Sequence, residues 1–544
     1  MQIKSNLVDI QKREIYPAII TIKEGVIDSI VKSDEIYERY MLPGFIDAHV
    51  HIESSMLTPS NFAKLALRHG TVATISDPHE IANVVGIKGI EFMINDASNS
   101  PLKFHFGAPS CVPATTFETS GATIDSKDIQ SLLERKDIYY LSEMMNFPGV
   151  LFEDPEVMAK IEIAKQLGKP IDGHAPGLRG DDLSTYINAG ITTDHEAYSY
   201  EEGLEKIDKG MKILIREGSA AKNYDALKKL IDEYPNSCMF CSDDKHPDDL
   251  MQGHINELVK RSIKEGYDLF NILQIACINP IEHYNLDIGK LQVGDKADFI
   301  IVDNLQEFNL IESYIDGESV FKDEKVLAKS VQSQAINNFN CQPKESDDFK
   351  VPYQNGLIRV IKAIDHELIT KEVDEEPKVE DGFVVADSTR DILKIALINR
   401  YQEADVVVDF IEGFGLNEGA IASSIAHDSH NIIAVGCDDA SITQAINLVI
   451  KNQGAIVALK GDEEFVLPLD IGGLMSSLDG EMVAQKYQEI NVFVKEQMGS
   501  RLDAPFMTLS FMALLVIPEL KLSDKGLFDS THFAFTDLFC DKRE

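Results

Sequence analysis

Candidate metal ligands in this sequence stand at the ends of short apolar segments. In MLPGFIDAHVHI, which begins at Met41, His49 and His51 are two residues apart, and on a β-strand residues at that spacing point to the same face. Two imidazoles on one face, with carboxylates nearby, bind borderline divalent ions. A lone His-X-His would be weak evidence, but more histidines and acids follow other apolar segments. They are Glu143, His174, His195 and Asp243.

The segments that carry these residues alternate with stretches of helical spacing. Repeated β–α units predict a parallel sheet, and eight of them over about 250 residues fit a closed barrel. A doubly wound open sheet is the alternative, although it seldom needs eight consecutive units. We therefore predict an α/β fold with a (β/α)₈ barrel over residues 41–285. The predicted strand segments begin at Met41, Thr71, Lys103, Tyr139, Pro170, Ile191, Met211 and Ser237.

In such a barrel the carboxyl ends of all strands converge on one face, where the active site lies. His49 and His51 end strand one, and Glu143 ends strand four. Strands five, six and eight end at His174, His195 and Asp243. Residues that are far apart in the chain would therefore meet. The alternative interpretation is that these are ordinary core histidines without a functional role, and it would have to be true at several strand ends at once.

β-rich segments flank the predicted barrel on both sides. ITIKEGVIDSIV predicts a hairpin with its turn at Glu24-Gly25. A similar alternation of polar and apolar residues, with turn signals between, recurs over residues 288–321. We predict that residues 1–40 and 286–345 form one composite β-sandwich. QPKESDDFK is polar and is interpreted as a linker. Residues 346–544 then mix strands and helices, which predicts an additional C-terminal α/β domain.

PGFIDAHVH is similar to the strand-one signature of the amidohydrolase superfamily. In that superfamily the strand-one pair, one histidine each from strands five and six, and an aspartate of strand eight hold one or two metal ions. A small sandwich commonly packs beside the barrel. The resemblance implies that the metal ligands here are His49, His51, His174, His195 and Asp243.

Strand four departs from the common pattern of that superfamily. Many two-metal members bridge the ions with a carboxylated lysine there, whereas this sequence offers Glu143 in YYLSEMMNFPGV. A carboxylate can bridge two cations directly, so the departure changes the ligand without removing it. If Glu143 points elsewhere, the site would hold one ion.

Further motifs narrow the resemblance. SDPHE, SEMMNFPGV, GHAPGL, TTDHE and CSDDKHP together resemble the bacterial adenine deaminases, and GFGLNEGAIASSIAHDSHNI, from Gly413, is similar to their extra domain. The resemblance runs over nearly the whole chain. It implies hydrolysis of adenine to hypoxanthine and ammonia by a homodimer with two divalent ions. Manganese or iron is favoured, and zinc is compatible with the ligands.

The implied reaction needs a hydroxide, a route for protons and a pocket for a flat purine. Two divalent ions lower the pKa of a bridging water, which would attack C6 of adenine. We expect Asp243 to take the proton of this nucleophile and pass it towards the leaving amine. Glu143 could share that work if it is not purely a bridge.

Asp77 and His79 follow the second predicted strand. They could orient a metal ligand or hydrogen-bond the purine edge. The alternative is a turn without chemistry, because Asp-Pro-His suits a loop entry. Asp244 should point away from the site if the strand that ends at Asp243 continues, so we expect it to be structural.

His427, Asp428 and His430 form an H-D-S-H pattern in the C-terminal region. This spacing suits a second metal site or a segment that reaches over the barrel mouth, while capping and core packing explain it nearly as well. Cys238 and Cys241 form a C-x-x-C pattern without a second pair, so strand packing is favoured over a zinc site.

The composition disfavours several classes of partner. The formal net charge is -39 over 544 residues, and so acidic a surface repels phosphate backbones and anionic lipid. Seven scattered cysteines suit a reducing compartment, and the N-terminus lacks the features of a signal peptide. We therefore predict a cytoplasmic protein with a small-molecule substrate and with neither nucleic-acid nor membrane partners.

Two other functions remain open at this point. A cyclic-amide hydrolase of the same superfamily, such as a dihydroorotase or hydantoinase relative, usually carries the strand-four lysine that is absent here. A non-catalytic barrel scaffold would tend to lose metal ligands, whereas this sequence keeps the complete proposed set. The metal content after purification separates a scaffold from an enzyme.

Overall fold

The computed structural model of the chain describes residues 1–219, 221–328 and 333–541. Its first part is a set of β-strands in which buried and exposed side chains alternate. The predicted hairpin is confirmed, because β2 and β3 pair antiparallel around the left-handed turn at Glu24 and Gly25. The strands are β1 (Gln2–Asp9), β2 (Glu14–Lys23), β3 (Val26–Lys32) and β4 (Tyr40–Pro43).

All eight predicted barrel strands are present. The first five pair in parallel in chain order, as do the last three. Their residues are buried on both faces, as expected of parallel strands covered by helices. They are β5 (Phe45–Val50), β6 (Thr71–Ser76), β7 (Lys103–Ala108), β8 (Ile138–Met144), β9 (Ile171–Gly173), β10 (Thr193–Asp194), β11 (Lys212–Arg216) and β12 (Cys238–Cys241).

Backbone hydrogen bonds join the two groups of strands into a ring. The Thr192 amide donates to the Ile171 carbonyl at 2.9 Å, which links β9 to the start of β10. At the other junction the Asp243 amide donates to the His49 carbonyl at 2.9 Å, and the His51 amide donates to the Asp243 carbonyl at 3.3 Å. The predicted (β/α)₈ barrel is therefore confirmed. Cys238 and Cys241 are buried in β12 with free thiols, as strand packing requires.

Helices cover the outside of the barrel and occupy its loops. They are α1 (Pro59–Leu67), α2 (His79–Val85), α3 (Ile87–Ala97), α4 (Ser126–Leu133), α5 (Phe147–Leu151), α6 (Pro155–Gln166), α7 (Gly180–Asn188), α8 (Tyr200–Asp208), α9 (Tyr224–Leu227), α10 (Leu230–Glu233), α11 (Pro247–Gln252), α12 (Ile255–Glu265), α13 (Leu269–Leu273) and α14 (Asn279–Tyr284). Short 3₁₀ turns lie at Ile52–Ser55 and Pro235–Ser237, and a π-helical turn lies at Gln274–Ile278.

The first predicted strand segment, MLPGFIDAHVHI, was wrong in one respect, because it contains two strands that belong to different sheets. β4 pairs with the flanking sheet and β5 with the barrel. The break falls at Gly44, where an added Cβ would lie 2.2 Å from Val72 Cγ1. This close approach of the backbone to β6 explains why residue 44 is a glycine.

Strands after the barrel complete the first sheet. They are β13 (Phe299–Val302), β14 (Leu310–Ile315), β15 (Glu318–Lys322) and β16 (Lys325–Val326). β13 pairs with β4, so that one eight-stranded sheet draws on both flanks of the barrel. Its inner face encloses a separate apolar core that includes Leu7, Ile20 and Phe299. The exact domain boundaries stay a prediction.

The C-terminal region is an α/β unit built on a nine-stranded sheet. Its strands and helices are β17 (Val351–Pro352), β18 (Leu357–Ala363), β19 (Thr370–Glu375), β20 (Lys378–Glu380), β21 (Phe383–Val385), β22 (Leu393–Ile398), β23 (Val407–Glu412), β24 (Ala420–Ser423), β25 (Ile432–Gly436), α15 (Asp439–Asn452), β26 (Ala455–Lys460), β27 (Glu463–Pro468), α16 (Gly480–Glu496), α17 (Pro505–Phe511), β28 (Leu520–Ser523), β29 (Gly526–Asp529), β30 (Ala534–Phe535) and β31 (Phe539–Cys540).

The predicted linker QPKESDDFK is packed onto this C-terminal unit. A 3₁₀ turn spans Ser346–Phe349, and the Phe349 ring is fully buried beneath α15. The Lys344 amide also donates to Asn447 Oδ1 at 2.9 Å. One contiguous apolar core includes both barrel and C-terminal side chains, such as Ile81 and Leu474. Among the described residues, no helix combines the length and the apolar character needed to cross a membrane.

Candidate active site

His49 of β5 and His51, which follows the end of that strand, meet at the centre of the barrel mouth. Their Nε2 atoms lie 3.1 Å apart, and both rings are buried. His51 Nδ1 contacts the Asp77 backbone carbonyl at 3.1 Å, and because a carbonyl only accepts, this nitrogen carries the proton. His51 Nε2 faces the site, where it lies 3.2 Å from both Glu143 Oε1 and Asp243 Oδ1, and in the neutral ring this atom would offer its lone pair to a metal ion.

Glu143, at the end of β8, lies between two groups of histidines. Its Oε1 atom is 3.2 Å from His51 Nε2. Its Oε2 atom is 2.9 Å from His174 Nδ1 and 3.2 Å from His195 Nε2. Burial alone would raise the pKa of Glu143, but these three histidines hold it well below its ordinary value. The side chain is therefore a carboxylate that presents one oxygen to each group.

Asp243 follows β12 and closes the first group. Its Oδ1 atom lies 3.4 Å from His49 Nε2 and 3.2 Å from His51 Nε2. Its other oxygen, Oδ2, accepts from the Arg216 guanidinium. Burial would raise the pKa of Asp243, but the charge of Arg216 and the two histidines lower it well below its ordinary value.

The contacts among these side chains fit two divalent ions that share Glu143. Nitrogen and oxygen lone pairs converge at 2.9–3.4 Å, the spacing of neighbouring ligands around ions with bonds of about 2.1 Å. Such lone pairs repel one another unless a proton or a cation lies between them. The possible ligand groups include His49, His195 and Asp243 together, and Glu143, His174 and His195 together.

Two residues of the site were not predicted from the sequence. Arg216, the last residue of β11, contacts Asp243 Oδ2 and Glu196 Oε1 through the same nitrogen, Nη1. Glu196 Oε1 also lies 3.3 Å from His195 Nε2. Arg216 therefore connects the acidic partners of both histidine groups. Its position at a strand end was the signal, because the other candidates lie at strand ends too.

Asp77 and His79 lie in the wall of the site. Asp77 Oδ1 accepts from Ser142 Oγ at 2.8 Å, and Asp77 Oδ2 lies 3.2 Å from His79 Nδ1. His79 begins α2, and its Nδ1 atom is 3.4 Å from Glu143 Oε1. Both residues are buried beside the ligands, and Asp77 orients His51 through its backbone carbonyl.

The expected outward orientation of Asp244 was wrong. Asp243 has a left-handed backbone with φ of 53°, so the alternation of a strand does not continue to the next residue. Asp244 Oδ1 instead accepts from Ser54 Oγ at 2.5 Å, and its side chain lines the same pocket as Asp243.

The C-terminal unit reaches over the barrel mouth. The loop between β24 and β25 brings His427 Nδ1 to 3.6 Å from Glu80 Oε1, and Asp428 Oδ1 to 3.8 Å from His79 Nε2. His430 is fully buried behind His427, with ring centroids 5.5 Å apart. All three residues of the H-D-S-H pattern are therefore buried beside the mouth.

The resulting pocket has one polar and one apolar side. Histidines and carboxylates of the barrel form the polar side, to which His427 and Asp428 add their polar atoms. The apolar side comes from the C-terminal unit, and the Phe511 ring stacks on His427 with centroids 4.8 Å apart and an interplanar angle of 14°. We call this side the apolar wall, and it consists of Leu368, Phe511, Leu514, Val516 and Ile517. A flat molecule with polar edges suits such a pocket.

The (β/α)₈ barrel with metal-ligand groups at its mouth indicates a metal-dependent hydrolase, and comparison with known sequences agrees. The Amidohydrolase family matches residues 40–327, and the chain belongs to that family. Within it the chain is an adenine deaminase relative, because the Adenine deaminase C-terminal domain matches residues 367–534.

Curated relatives extend this similarity to nearly the full length. The chain is 57% identical to an adenine deaminase of Sulfurovum sp. over 537 residues, which cover 99% of both chains. It is 52% identical to an adenine deaminase of Salinibacter ruber, with 99% of both chains covered. It is also 54% identical to an adenine deaminase of Methanosarcina barkeri, with 98% of both chains covered.

Proposed function

We propose that this protein hydrolyses adenine to hypoxanthine and ammonia. The observation that carries the proposal is the position of Glu143, whose two oxygens face separate histidine groups at 2.9–3.2 Å beneath the apolar wall. The lengthwise similarity to adenine deaminases supports the choice of substrate. The absence of a lysine from the end of β8 disfavours the cyclic-amide alternative.

The residues fit a site for two divalent ions. His49, His51 and Asp243 would hold one ion and His174 and His195 the other, with Glu143 shared between them. When bound, the ions supply Lewis-acid activation of a water molecule. Mixed nitrogen and oxygen ligands suit Mn²⁺, Fe²⁺ or Zn²⁺, and we propose Mn²⁺ as the native ion.

Asp243 is proposed to move the proton. It is a buried carboxylate, since Arg216 keeps its pKa low, and a carboxylate can accept the proton that the attacking water loses at C6. The same group can then return the proton to the departing amine. Glu143 contacts four histidines and has little freedom to move, so we assign it the bridging role rather than proton transfer.

Adenine is proposed to lie with one ring face on the apolar wall. Burial of that face against Phe511 and Leu514 removes apolar surface from water, and the ring edges meet polar atoms of His79 and Asp428. We further propose a cytoplasmic homodimer, and a division into the flanking sheet (1–40 and 286–345), the barrel (41–285) and the C-terminal domain (346–544).

The test is an adenine assay on protein stripped of metal and reloaded with Mn²⁺, followed by ultraviolet absorbance and ammonia release. We expect conversion to hypoxanthine that requires two equivalents at the barrel site, and we expect His49→Ala to lose barrel metal. Metal-loaded protein that leaves adenine unchanged would refute the purine assignment, and cyclic amides would be tried next. Unchanged metal content in His49→Ala would refute the ligand assignment.

A further inference from the structure

A third group of ligand-type side chains lies outside the two groups that share Glu143. It consists of Glu80 from α2 of the barrel and of His427 and His430 from the loop between β24 and β25. One ligand atom from each residue lies within 4.8 Å of the others, and all three side chains are buried. Two ligands on opposite sides of an ion are about 4.2 Å apart when the bonds are about 2.1 Å, so a small contraction brings all three into range.

The atoms of this group lack the hydrogen bonds that burial demands. His430 is 0% exposed, and among the described residues neither of its ring nitrogens has a hydrogen-bond partner. Glu80 Oε2 is also buried without a partner, while Glu80 Oε1 accepts from Ser54 Oγ at 2.8 Å. A buried polar atom without a partner costs about 1–3 kcal/mol. A ligand that uses the free lone pairs of His430 and Glu80 would remove this cost.

Carboxylates surround the Glu80 end of the group, whereas the buried Arg400 guanidinium acts electrostatically on His430 at the other end. Glu53 Oε2 and Asp428 Oδ2 are buried without partners. Asp244 shares Ser54 Oγ with Glu80, so several carboxylates lie close together with little access to water. Like charges in a buried region repel one another strongly, and a divalent cation among them converts that repulsion into attraction.

A purine edge is a less suitable partner for His430. The pocket beneath the apolar wall is lined by Glu80, His427 and Asp428, whereas His430 is not part of its lining. The group therefore extends behind the pocket, away from the surface that a purine would contact.

We propose that Glu80, His427 and His430 form a third divalent-cation site, separate from the two ions that share Glu143. Two imidazoles and one carboxylate select a first-row transition ion such as Mn²⁺, Fe²⁺ or Zn²⁺. The site joins the barrel to the C-terminal unit, because Glu80 comes from the first and both histidines come from the second. Its ion would fix the loop that carries Asp428 over the barrel mouth.

The experiment counts metal and locates it. Protein stripped with a chelator is reloaded with Mn²⁺ and desalted, and bound metal per chain is measured by mass spectrometry. We expect three equivalents in the wild type and two in His430→Asn. His49→Ala should keep the third ion although it loses barrel metal. His105→Asn is the matched control and should hold three equivalents, because His105 is a buried barrel histidine that bonds the Thr74 carbonyl.

Anomalous diffraction at the manganese edge from wild-type crystals decides the question even if His430→Asn does not fold. A peak among Glu80, His427 and His430 is the expected result. The proposal would be overturned if no anomalous peak lies among Glu80, His427 and His430. It would also be overturned if the wild type holds only two equivalents, or if a folded His430→Asn variant holds as much metal as the wild type. Neither readout uses adenine turnover, so failure of the proposed reaction and failure of this site are distinguishable.

Discussion

The two sides of the pocket are built in different ways. The barrel side consists of residues at strand ends, such as His49 and Glu143, which hydrogen bonds between strands hold at fixed positions. The C-terminal side consists of loop residues and of the end of α17, where Phe511 lies. Polar ligand atoms dominate the first side and apolar surface the second. The difference indicates that the barrel supplies the chemistry and the C-terminal unit supplies much of the substrate affinity.

This division gives a kinetic criterion. Loss of a group that acts in the transition state lowers kcat, whereas loss of uniform binding raises KM. Substitutions on the barrel side should therefore lower kcat, and substitutions in the apolar wall should raise KM.

Asp243→Asn should give the largest effect. The amide is similar in size to the carboxylate but cannot take up a proton, so we expect kcat to fall about 10³-fold or more while most of the bound metal is retained. Steady-state kinetics and metal analysis of the same preparation check both parts. Near-normal turnover would remove Asp243 from proton transfer.

Arg216→Met should lower kcat about 10- to 100-fold, since groups that orient metal ligands have effects of that size. The guanidinium holds Asp243 and Glu196 in place. Arg216→Lys is the matched control, because it keeps the charge but not the planar fork. Equal losses in both variants would show that the geometry of the fork matters, whereas full activity in Arg216→Met would contradict a positioning role.

Phe511→Ala should raise KM for adenine about 10-fold with a smaller change in kcat, because a purine would lose about 1–2 kcal/mol of contact with the ring. Phe152→Ala is the control, because Phe152 is 85% exposed and should leave both constants unchanged. A fall in kcat without a rise in KM would break the proposed division between the two sides.

Lys521→Met should have the smallest effect, and it is an effect on stability. Lys521 is fully buried beneath the apolar wall and donates to the Leu368 and Phe511 carbonyls at 2.7 and 3.0 Å. Burial lowers its pKa from the ordinary 10.5 to about 7. Between these values the unfolded chain holds the proton and the folded chain does not, so the contribution of Lys521 to stability rises with pH.

The measurement is the free energy of unfolding of wild type and variant at several pH values between 7.5 and 9. The wild type should gain up to about 1.4 kcal/mol per pH unit relative to Lys521→Met. A difference that does not change with pH would mean that Lys521 stays charged in the fold.

The barrel side of the pocket could be predicted from the sequence because its strands and helices follow simple periodicities. Eight apolar segments predicted the eight strands, and the rule that strand ends converge placed Glu143 beside His174 and His195. The failures arose where the local backbone departs from the regular pattern. Asp243 adopts a left-handed conformation, which turns Asp244 into the pocket, and the break at Gly44 divides one apolar segment between two sheets.

The C-terminal side of the pocket was harder to predict from the sequence, for a physical reason. The H-D-S-H pattern marked His427, Asp428 and His430, but no periodicity relates a loop to the barrel that it covers. The apolar wall gave no signal, because Leu514 and Val516 resemble any core residues until their position is known. The polar stretch around Glu345 suggested a linker, whereas the burial of Phe349 makes it part of the fold.

The junction at which the barrel closes has a thermodynamic consequence. The backbone bonds that join the first and last strands involve His49, His51 and Asp243 themselves. The side chains of the same residues would bind an ion, so metal binding and closure of the barrel favour the same conformation. By mass action, an ion present at about 100 times its Kd would add about 2.7 kcal/mol to the free energy of unfolding. The metal-loaded protein should therefore resist heat and proteases better than the metal-free protein, because the ion would stabilise the junction between the first and last strands.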